Sequence, residues 1–529
     1  MTAASLGDFA NRDLTQLNVS QFLSEAAAEG GDRPFLISET DSVSYVQFDR
    51  MVDVAARAWQ DIGVRKGDRV AFMLENRPEF LQAWLGLTRA GGILVALNAR
   101  WQLGEIAAFL DLTEPRYLLA SERFLELVRQ TPCSRTGLEI LSIGGSGPKD
   151  LSMILSTTTA KPAHVPLDSN DEISFISTSG TTGRPKAVMQ THGNYVFTGE
   201  GYATWMALRP GERLYLCLPL FHINSQAYTV MGAIAARATI VMRERFSASR
   251  FWPDMNEFGI DVFNYIGSML AVLLKRDSSS EERSHKVRLA YGGPALPGPQ
   301  RQAAEERFGL KIVSGIGMSE NTFGLIESFS GERRDGSLGK VRQHPDPRIL
   351  NEAKVVDDEG HEVDSGQTGE LIFRNPVMMK GYFRDPAQTA ETIREGWLHT
   401  GDLVSRDEDG FFYFVDRKQD IIRVRGENVA SAEVEQVLIG HDGVADAGVV
   451  GVPSELTDED VAALVVALPG QRPTPDELVE WCRSRLAGFK VPRYIWFVDS
   501  LPKTETQRTE KQKLRVLAAE FLSGSDARS

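Results

Sequence analysis

Along the first 170 residues, apolar and polar positions switch repeatedly between a helical and a strand-like period. Val43-Ser44-Tyr45 leads into a helical pattern over residues 48–59, and Arg69-Val70-Ala71-Phe72-Met73 then reads as a strand. Residues 78–90 again carry apolar side chains at helical spacing. Gly91-Gly92 ends that helix before the strand-like Ile93-Leu94-Val95-Ala96-Leu97. This alternation predicts an α/β layer structure. Residues 162–171 are polar and proline-bearing, which suits a join. Beyond it, the apolar run over residues 173–176 and the shorter one over 187–189 bracket a polar loop, and Leu214-Tyr215-Leu216-Cys217-Leu218-Pro219-Leu220-Phe221 reads as a buried strand ending in a turn. The longest membrane candidate, residues 229–242, is too short to span and is interrupted by Arg237, so no membrane span is expected.

At 529 residues the chain exceeds one ordinary core, and two to four domains or subdomains are expected. Its 42% hydrophobic and 25% charged residues are ordinary for a globular protein. The net charge of -14 excludes a general nucleic-acid binder, which needs a basic field to displace counterions. Anionic substrates would have to be held by local positive groups. Cys133, Cys217 and Cys482 are far apart and odd in number, so neither a disulfide framework nor a zinc cluster is indicated, and a reducing cytoplasm fits. The first residues lack a basic stretch followed by an apolar one, so no signal peptide is expected.

The bracketed loop is Thr178-Ser179-Gly180-Thr181-Thr182-Gly183-Arg184-Pro185-Lys186. Gly180 and Gly183 allow close backbone approach, the four hydroxyl residues can donate to phosphate oxygens, and Lys186 supplies positive charge. It is not a Walker A loop, because Arg184 and Pro185 separate Gly183 from the lysine. On composition alone a polar surface turn is an equal reading.

The loop resembles the signature of the adenylate-forming superfamily, which includes acyl-CoA synthetases, adenylation domains and firefly-type luciferases. Further motifs follow in that family's order. Phe221-His222 resembles a pair beside the carboxylate to be activated, although a lone histidine is more often structural. With Phe221 where amino-acid-selecting relatives place an aspartate, the resemblance favours a non-amino acid. Tyr291-Gly292-Gly293-Pro294 resembles the turn along the adenine and acyl pocket, with a plain strand-to-helix turn as the alternative. Gly315-Ile316-Gly317-Met318-Ser319-Glu320 resembles the family's Tyr-Gly-x-Thr-Glu, which implies Ser319 beside phosphate and Glu320 as the magnesium carboxylate. Asp402, in Gly396-Trp397-Leu398-His399-Thr400-Gly401-Asp402, would accept the ribose hydroxyls, and Arg417 would contact ribose and phosphate. The acyl pocket is expected from Phe221, His222, Asn224, Tyr291 and Gly315. Val424-Arg425-Gly426 resembles the loop of the pantetheine tunnel, although Arg425 is equally readable as a solvated charge, and Gln419 occupies the family's hinge.

The resemblance implies a large multi-sheet α/β domain over residues 1–417 and a small mobile α/β domain over 418–529. It implies a ligase of the medium-chain or carnitine-CoA-ligase-like type. Such an enzyme uses ATP and Mg2+ to convert a carboxylic acid to acyl-AMP and transfers the acyl group to CoA, and a homodimer is allowed. Three departures stand out. Ile316 replaces an aromatic residue that covers adenine, Gln507 a glycine, and Arg508 the catalytic lysine of Pro-Lys-Thr-x-Thr-Gly-Lys. Arginine keeps the charge but differs in shape and direction. Lys503 and Lys511 lie nearby in poorer register. The departures motivate one alternative, a specialist in one half-reaction; a non-catalytic nucleotide-binding regulator is a further one.

Overall fold

The computed structural model describes residue 9 and residues 12–134, 137–145, 147, 149–179, 185–293, 298–424, 427–454, 459–471, 473–504 and 509–523. The chain divides into two compact units. The first holds Met1–Asp335, Gly339–Glu352 and Phe373–Leu398, and the second Gly336–Leu338, Ala353–Ile372 and His399–Ser529.

Local sequence chemistry sets the helices of the first unit. Ser44 and Gln47 exchange side-chain and backbone hydrogen bonds as a capping box, so the helix Tyr45–Ile62 starts there and ends at Gly63, whose φ of 101° disfavours other residues. Pro78 opens Pro78–Arg89, where its missing N–H costs nothing. The helix His192–Trp205 is buried from His192 through Ala203, consistent with a central element packed on all sides.

Two sheets use these helices as cover. One runs in the order Gly381–Tyr382, Pro185–Thr191, Glu172–Ser179, Ile93–Ala96, Arg69–Met73, Tyr117–Ser121, Glu139–Ile143. The other sets Lys311–Met318, Leu289–Gly293, Val262–Ile266, Arg213–Leu216, Thr239–Met242 and Pro34–Ile37 side by side, all parallel. Crevices beyond the carboxyl ends of such strands are where open α/β sheets bind ligands. The alternation expected over residues 45–97 is present, as the helices Tyr45–Ile62 and Pro78–Arg89 and the strands Arg69–Met73 and Ile93–Ala96. One core cluster joins both sheets through Trp59, Trp84, Tyr195, Leu214 and Tyr291.

The second unit has its own core, built from Val424, Val434, Leu438, Val449, Val461 and Leu478. Its three-stranded sheet runs Val444–Pro453, Glu459–Ala467, Tyr494–Phe497, and the helices Ser431–Ile439, Pro475–Arg483 and Lys511–Ser523 belong to the same unit. No helix among the described residues is long and apolar enough to cross a membrane.

Two histidines, His192 buried and His222 half-buried, tie the first unit's stability to pH. His192 accepts the Val19 N–H at Nδ1 (3.1 Å), and burial pushes its pKa from 6.5 down to about 4. Burial does the same to His222, helped by the Arg100 charge. Between pH 6.5 and 4 the unfolded chain therefore binds more protons than the folded one, and stability falls as pH falls through that window. His192→Asn, whose amide oxygen can take the Val19 N–H, is expected to flatten the loss. Denaturant midpoints at pH 7 and pH 5 check this, and an unchanged pH slope contradicts it.

Candidate active site

In the first unit, the polar loop joins two antiparallel strands, Glu172–Ser179 and Pro185–Thr191, with Thr178 opposite Lys186 and Ser179 opposite Pro185. Gly180, Thr181, Thr182, Gly183 and Arg184 lie outside the described residues. Thr178 and Lys186, at the two ends of the loop, are both half-buried.

The strand Pro185–Thr191 pairs on its other side with Gly381–Tyr382, setting Tyr382 opposite Val188. Tyr382 thereby becomes a link that the motif reading missed. Its ring centroid lies 4.8 Å from the Lys186 ammonium, within range of a cation–π attraction. Its hydroxyl donates to Glu320 Oε1 at 2.8 Å. Burial and the Glu320 charge push the phenol well above its ordinary pKa, so it remains a donor. The backbone before and at Glu320 is pinned as well. Gln190 Nε2 donates to the Ser319 carbonyl (2.6 Å) and the Met379 N–H to the Glu320 carbonyl (2.7 Å). A lysine, a tyrosine and a carboxylate thus form one polar line, with Glu320 only 8% exposed.

No group of three His, Cys, Asp or Glu among the described residues forms a metal cage. Glu320 is a single carboxylate with one oxygen engaged by Tyr382. That donor set fits magnesium, which keeps several waters and binds through one or two carboxylates together with substrate phosphates.

The segment after the strand Arg213–Leu216 is fixed from beneath. Asn76 donates to the Leu218 carbonyl (2.9 Å) and accepts the Leu220 N–H (2.8 Å), while Ser225 and Gln226 donate to the Leu218 and Leu220 carbonyls. This holds Phe221, which is buried, against the half-buried His222, with ring centroids 4.5 Å apart. With its pKa near 4, His222 is a neutral imidazole at pH 7.

Gly292 and Gly293 end the strand Leu289–Gly293, and Pro294 lies outside the described residues. Their glycine character has an internal cause. A Cβ at Gly292 would lie 2.0 Å from the Tyr265 carbonyl oxygen, and one at Gly293 2.8 Å from that of Gly315. Gly315, Ile316 and Gly317 lie on the strand Lys311–Met318, where half-buried Ile316 pairs with Leu325, and Ser319 is half-buried just beyond.

In the second unit, antiparallel pairing of Trp397–Arg406 with Phe412–Arg417 puts Asp402 opposite Arg417. Their side chains meet at 3.2 Å. Glu370, also absent from the motif reading, accepts the Gly401 N–H (3.1 Å) and faces His399 (3.3 Å) and Lys418 (3.6 Å). Asp416 accepts from Ser431 Oγ (2.9 Å) and the Ala432 N–H (3.3 Å) at the start of the next helix. Gln419 sits in a single 3-10 turn, its carbonyl held by Arg515 at 3.0 Å. Val424 is buried at a strand end, whereas Arg425, Gly426, Gln507 and Arg508 lie outside the described residues. Both lysines near Arg508 are engaged elsewhere. Lys503 pairs with Asp446 (2.7 Å) and Thr509, and Lys511 with Glu435, Ser431 Oγ and the Val449 carbonyl.

Comparison with known proteins agrees with this geometry. Residues 23–383 match the family described as AMP-binding enzyme, and residues 433–508 match the AMP-binding enzyme C-terminal domain. A crotonobetaine/carnitine–CoA ligase of Salmonella paratyphi A is 32% identical over 521 residues, covering 94% of this chain and 99% of that protein. An anthranilate CoA ligase in complex with anthranoyl-AMP superposes with a TM-score of 0.87 at 25% identity, covering 98% of this chain and 100% of that one. O-succinylbenzoate coenzyme A synthetase from Bacillus subtilis, in complex with ATP and magnesium ion, superposes with a TM-score of 0.82 at 27% identity, covering 93% and 98%. The chain belongs to the AMP-binding enzyme family, on its acid–CoA ligase branch.

Proposed function

We infer that the chain is an ATP-dependent, AMP-forming ligase that joins a non-amino carboxylic acid to CoA, with the functional boundary between its domains at residues 417 and 418. The observation that carries the site assignment is the line Lys186, Tyr382, Glu320 beside the polar loop. Lys186 and the loop from Thr178 to Gly183 meet the phosphates, and Ser319 stands beside them. Glu320 would hold magnesium, which when bound offsets phosphate charge. Asp402 accepts the ribose hydroxyls, Arg417 reaches ribose and phosphate, and Gly292, Gly293, Pro294, Ile316 and Gly317 border the base. Phe221, His222, Asn224, Tyr291 and Gly315 border the acid.

A carboxylate oxygen attacks the α-phosphorus of ATP, and pyrophosphate leaves. The CoA sulfur then attacks the acyl carbon, its proton is lost, and AMP leaves. Both steps need positioned charge and no enzyme nucleophile. Val424, Arg425 and Gly426 line the path of CoA, and Gln419 is the turning point between the two steps. Dispersed cysteines, two of them buried, support a cytoplasmic setting.

Lys503 and Lys511 are both paired, which supports Arg508 as the cation that draws in the carboxylate. Arg508→Ala is expected to lower pyrophosphate release from ATP and acid by about 10²-fold more than it lowers thioester formation from purified acyl-AMP and CoA. Equal loss in the two assays overturns this role. The Arg508→Lys variant decides the specialist alternative, because pyrophosphate release by the lysine form alone would mean that the natural arginine suppresses the first step.

A further inference from the structure

We propose that Asn224 selects a short carboxylic acid bearing an oxygen acceptor, such as a hydroxyl, keto or second carboxyl group, near the carboxyl to be activated. The proposal rests on the ligase reading and on Asn224 bordering the acid.

Asn264, on the strand Val262–Ile266, is only 3% exposed, and its amide is fully committed. Its Oδ1 accepts from the Tyr202 hydroxyl at 2.5 Å, while its Nδ2 donates to Asn224 Oδ1 at 2.9 Å and to Thr229 Oγ1 at 3.1 Å. An amide has one carbonyl and one NH2 group, so with the Asn224 Oδ1 accepting from Asn264 the NH2 is the end left over. Its carbonyl faces the protein interior. Its NH2 has no partner among the described residues, and Asn224 is half-buried, two positions after His222. A half-buried donor without a partner is matched by a ligand acceptor and penalises a ligand that brings only methylenes.

Three buried rings pack together beside this relay. Tyr202, Tyr228 and Tyr291 form a triangle with centroid separations of 5.4 to 5.6 Å. The Tyr228 hydroxyl donates to the Thr322 carbonyl at 2.7 Å. A Cβ at Gly317 would lie 2.7 Å from the Tyr228 hydroxyl, and one at Gly315 3.2 Å from that of Tyr291. At Gly317 the room is thus taken by the Tyr228 phenol, and at Gly315 by the Leu325 carbonyl (3.1 Å), Ile326 and the Tyr291 phenol, so neither position is open to a long alkyl chain. Phe221 offers no carboxylate to an ammonium group, and Asn224 carries no charge, so the complement is a neutral or anionic oxygen.

The test is pyrophosphate release by the full chain with ATP and magnesium, comparing butyrate, 3-hydroxybutyrate, 3-oxobutyrate, succinate and octanoate. At least one oxygen-bearing acid is expected to exceed butyrate in kcat/KM by about tenfold, with octanoate poorest. Asn224→Leu is expected to bring that ratio close to one. The ratio in the natural chain tests the proposal even if the variant is poorly folded. A lead for butyrate or octanoate, or an unchanged ratio in Asn224→Leu, overturns the selection while leaving the ligase reading in place. Silence with every acid, together with no thioester from butyryl-AMP and CoA, overturns both.

Discussion

Glu320→Gln is expected to reduce acid-dependent pyrophosphate release by about 10³-fold, the scale of removing one preorganised electrostatic group from a reacting phosphate or acyl centre. The substitution keeps the shape and the hydrogen bond from Tyr382 but removes the negative charge that suits a hard cation. The carboxylate sits 8% exposed, with its backbone pinned through Gln190 and Met379, so its position is set by the fold. Steady-state rates at several magnesium concentrations check the prediction. Partial recovery at high magnesium is expected, whereas a loss that ignores magnesium contradicts the assignment. Tyr382→Phe retains the ring over Lys186 and loses only the bond to Glu320. It is expected to cost about tenfold, as supporting partners of metal ligands do.

The second large effect falls on stability. Lys511→Met is expected to destabilise the second unit by about 3–5 kcal/mol, because it leaves Glu435 in place without its cation. The Lys511 ammonium is 13% exposed and meets Glu435, Ser431 Oγ and the Val449 carbonyl, while Glu435 also accepts the Val449 N–H at 2.7 Å. Burial already holds the Glu435 carboxyl above its ordinary pKa despite the lysine. Removing the lysine raises it further. A raised folded-state pKa means that the fold prefers the protonated acid, so the variant's deficit is expected to be greatest at high pH and to shrink as pH falls through that value. Urea unfolding at pH 8 and pH 5 gives the comparison. An equal deficit at both contradicts the pairing.

These two residues mark what the sequence discloses and what it withholds. Glu320 could be singled out because it ends a short segment that resembles a family motif, and such a motif is local. Tyr382 was not, since its role depends on pairing opposite Val188, and strand register across nearly 200 residues of chain leaves no mark in local spacing. Asn264 and Glu370 were invisible for the same reason. Each is a polar residue on a strand whose meaning comes from a neighbour supplied by the fold. Lys511 shows the converse. From its place near Arg508 it reads as a spare cation, but the helix it opens turns it toward Glu435.

At the level of elements the reading went further, because helix caps and β-branched runs are local. Ser44 with Gln47, Pro78, and the Gly91-Gly92 stop all act within a few residues of where they stand. The glycines of Tyr291-Gly292-Gly293 are read from the sequence as a turn along the adenine and acyl pocket, which does not say what else approaches them. The approaching groups at Gly292 and Gly293 are the Tyr265 and Gly315 carbonyls, on strands that only the folded sheet brings alongside. The residues 180–184, 425–426 and 505–508 lie outside the described residues.

The most direct test of the central claim is product stoichiometry. The purified chain is given ATP, magnesium, CoA and the best acid from the panel, and AMP, ADP, pyrophosphate, phosphate and acyl-CoA are quantified together over one time course. The account predicts AMP, pyrophosphate and acyl-CoA appearing in equal amounts, with acyl-AMP and pyrophosphate alone when CoA is omitted. ADP and phosphate in step with thioester, or thioester formed without any acyl-AMP in the CoA-free reaction, would contradict it.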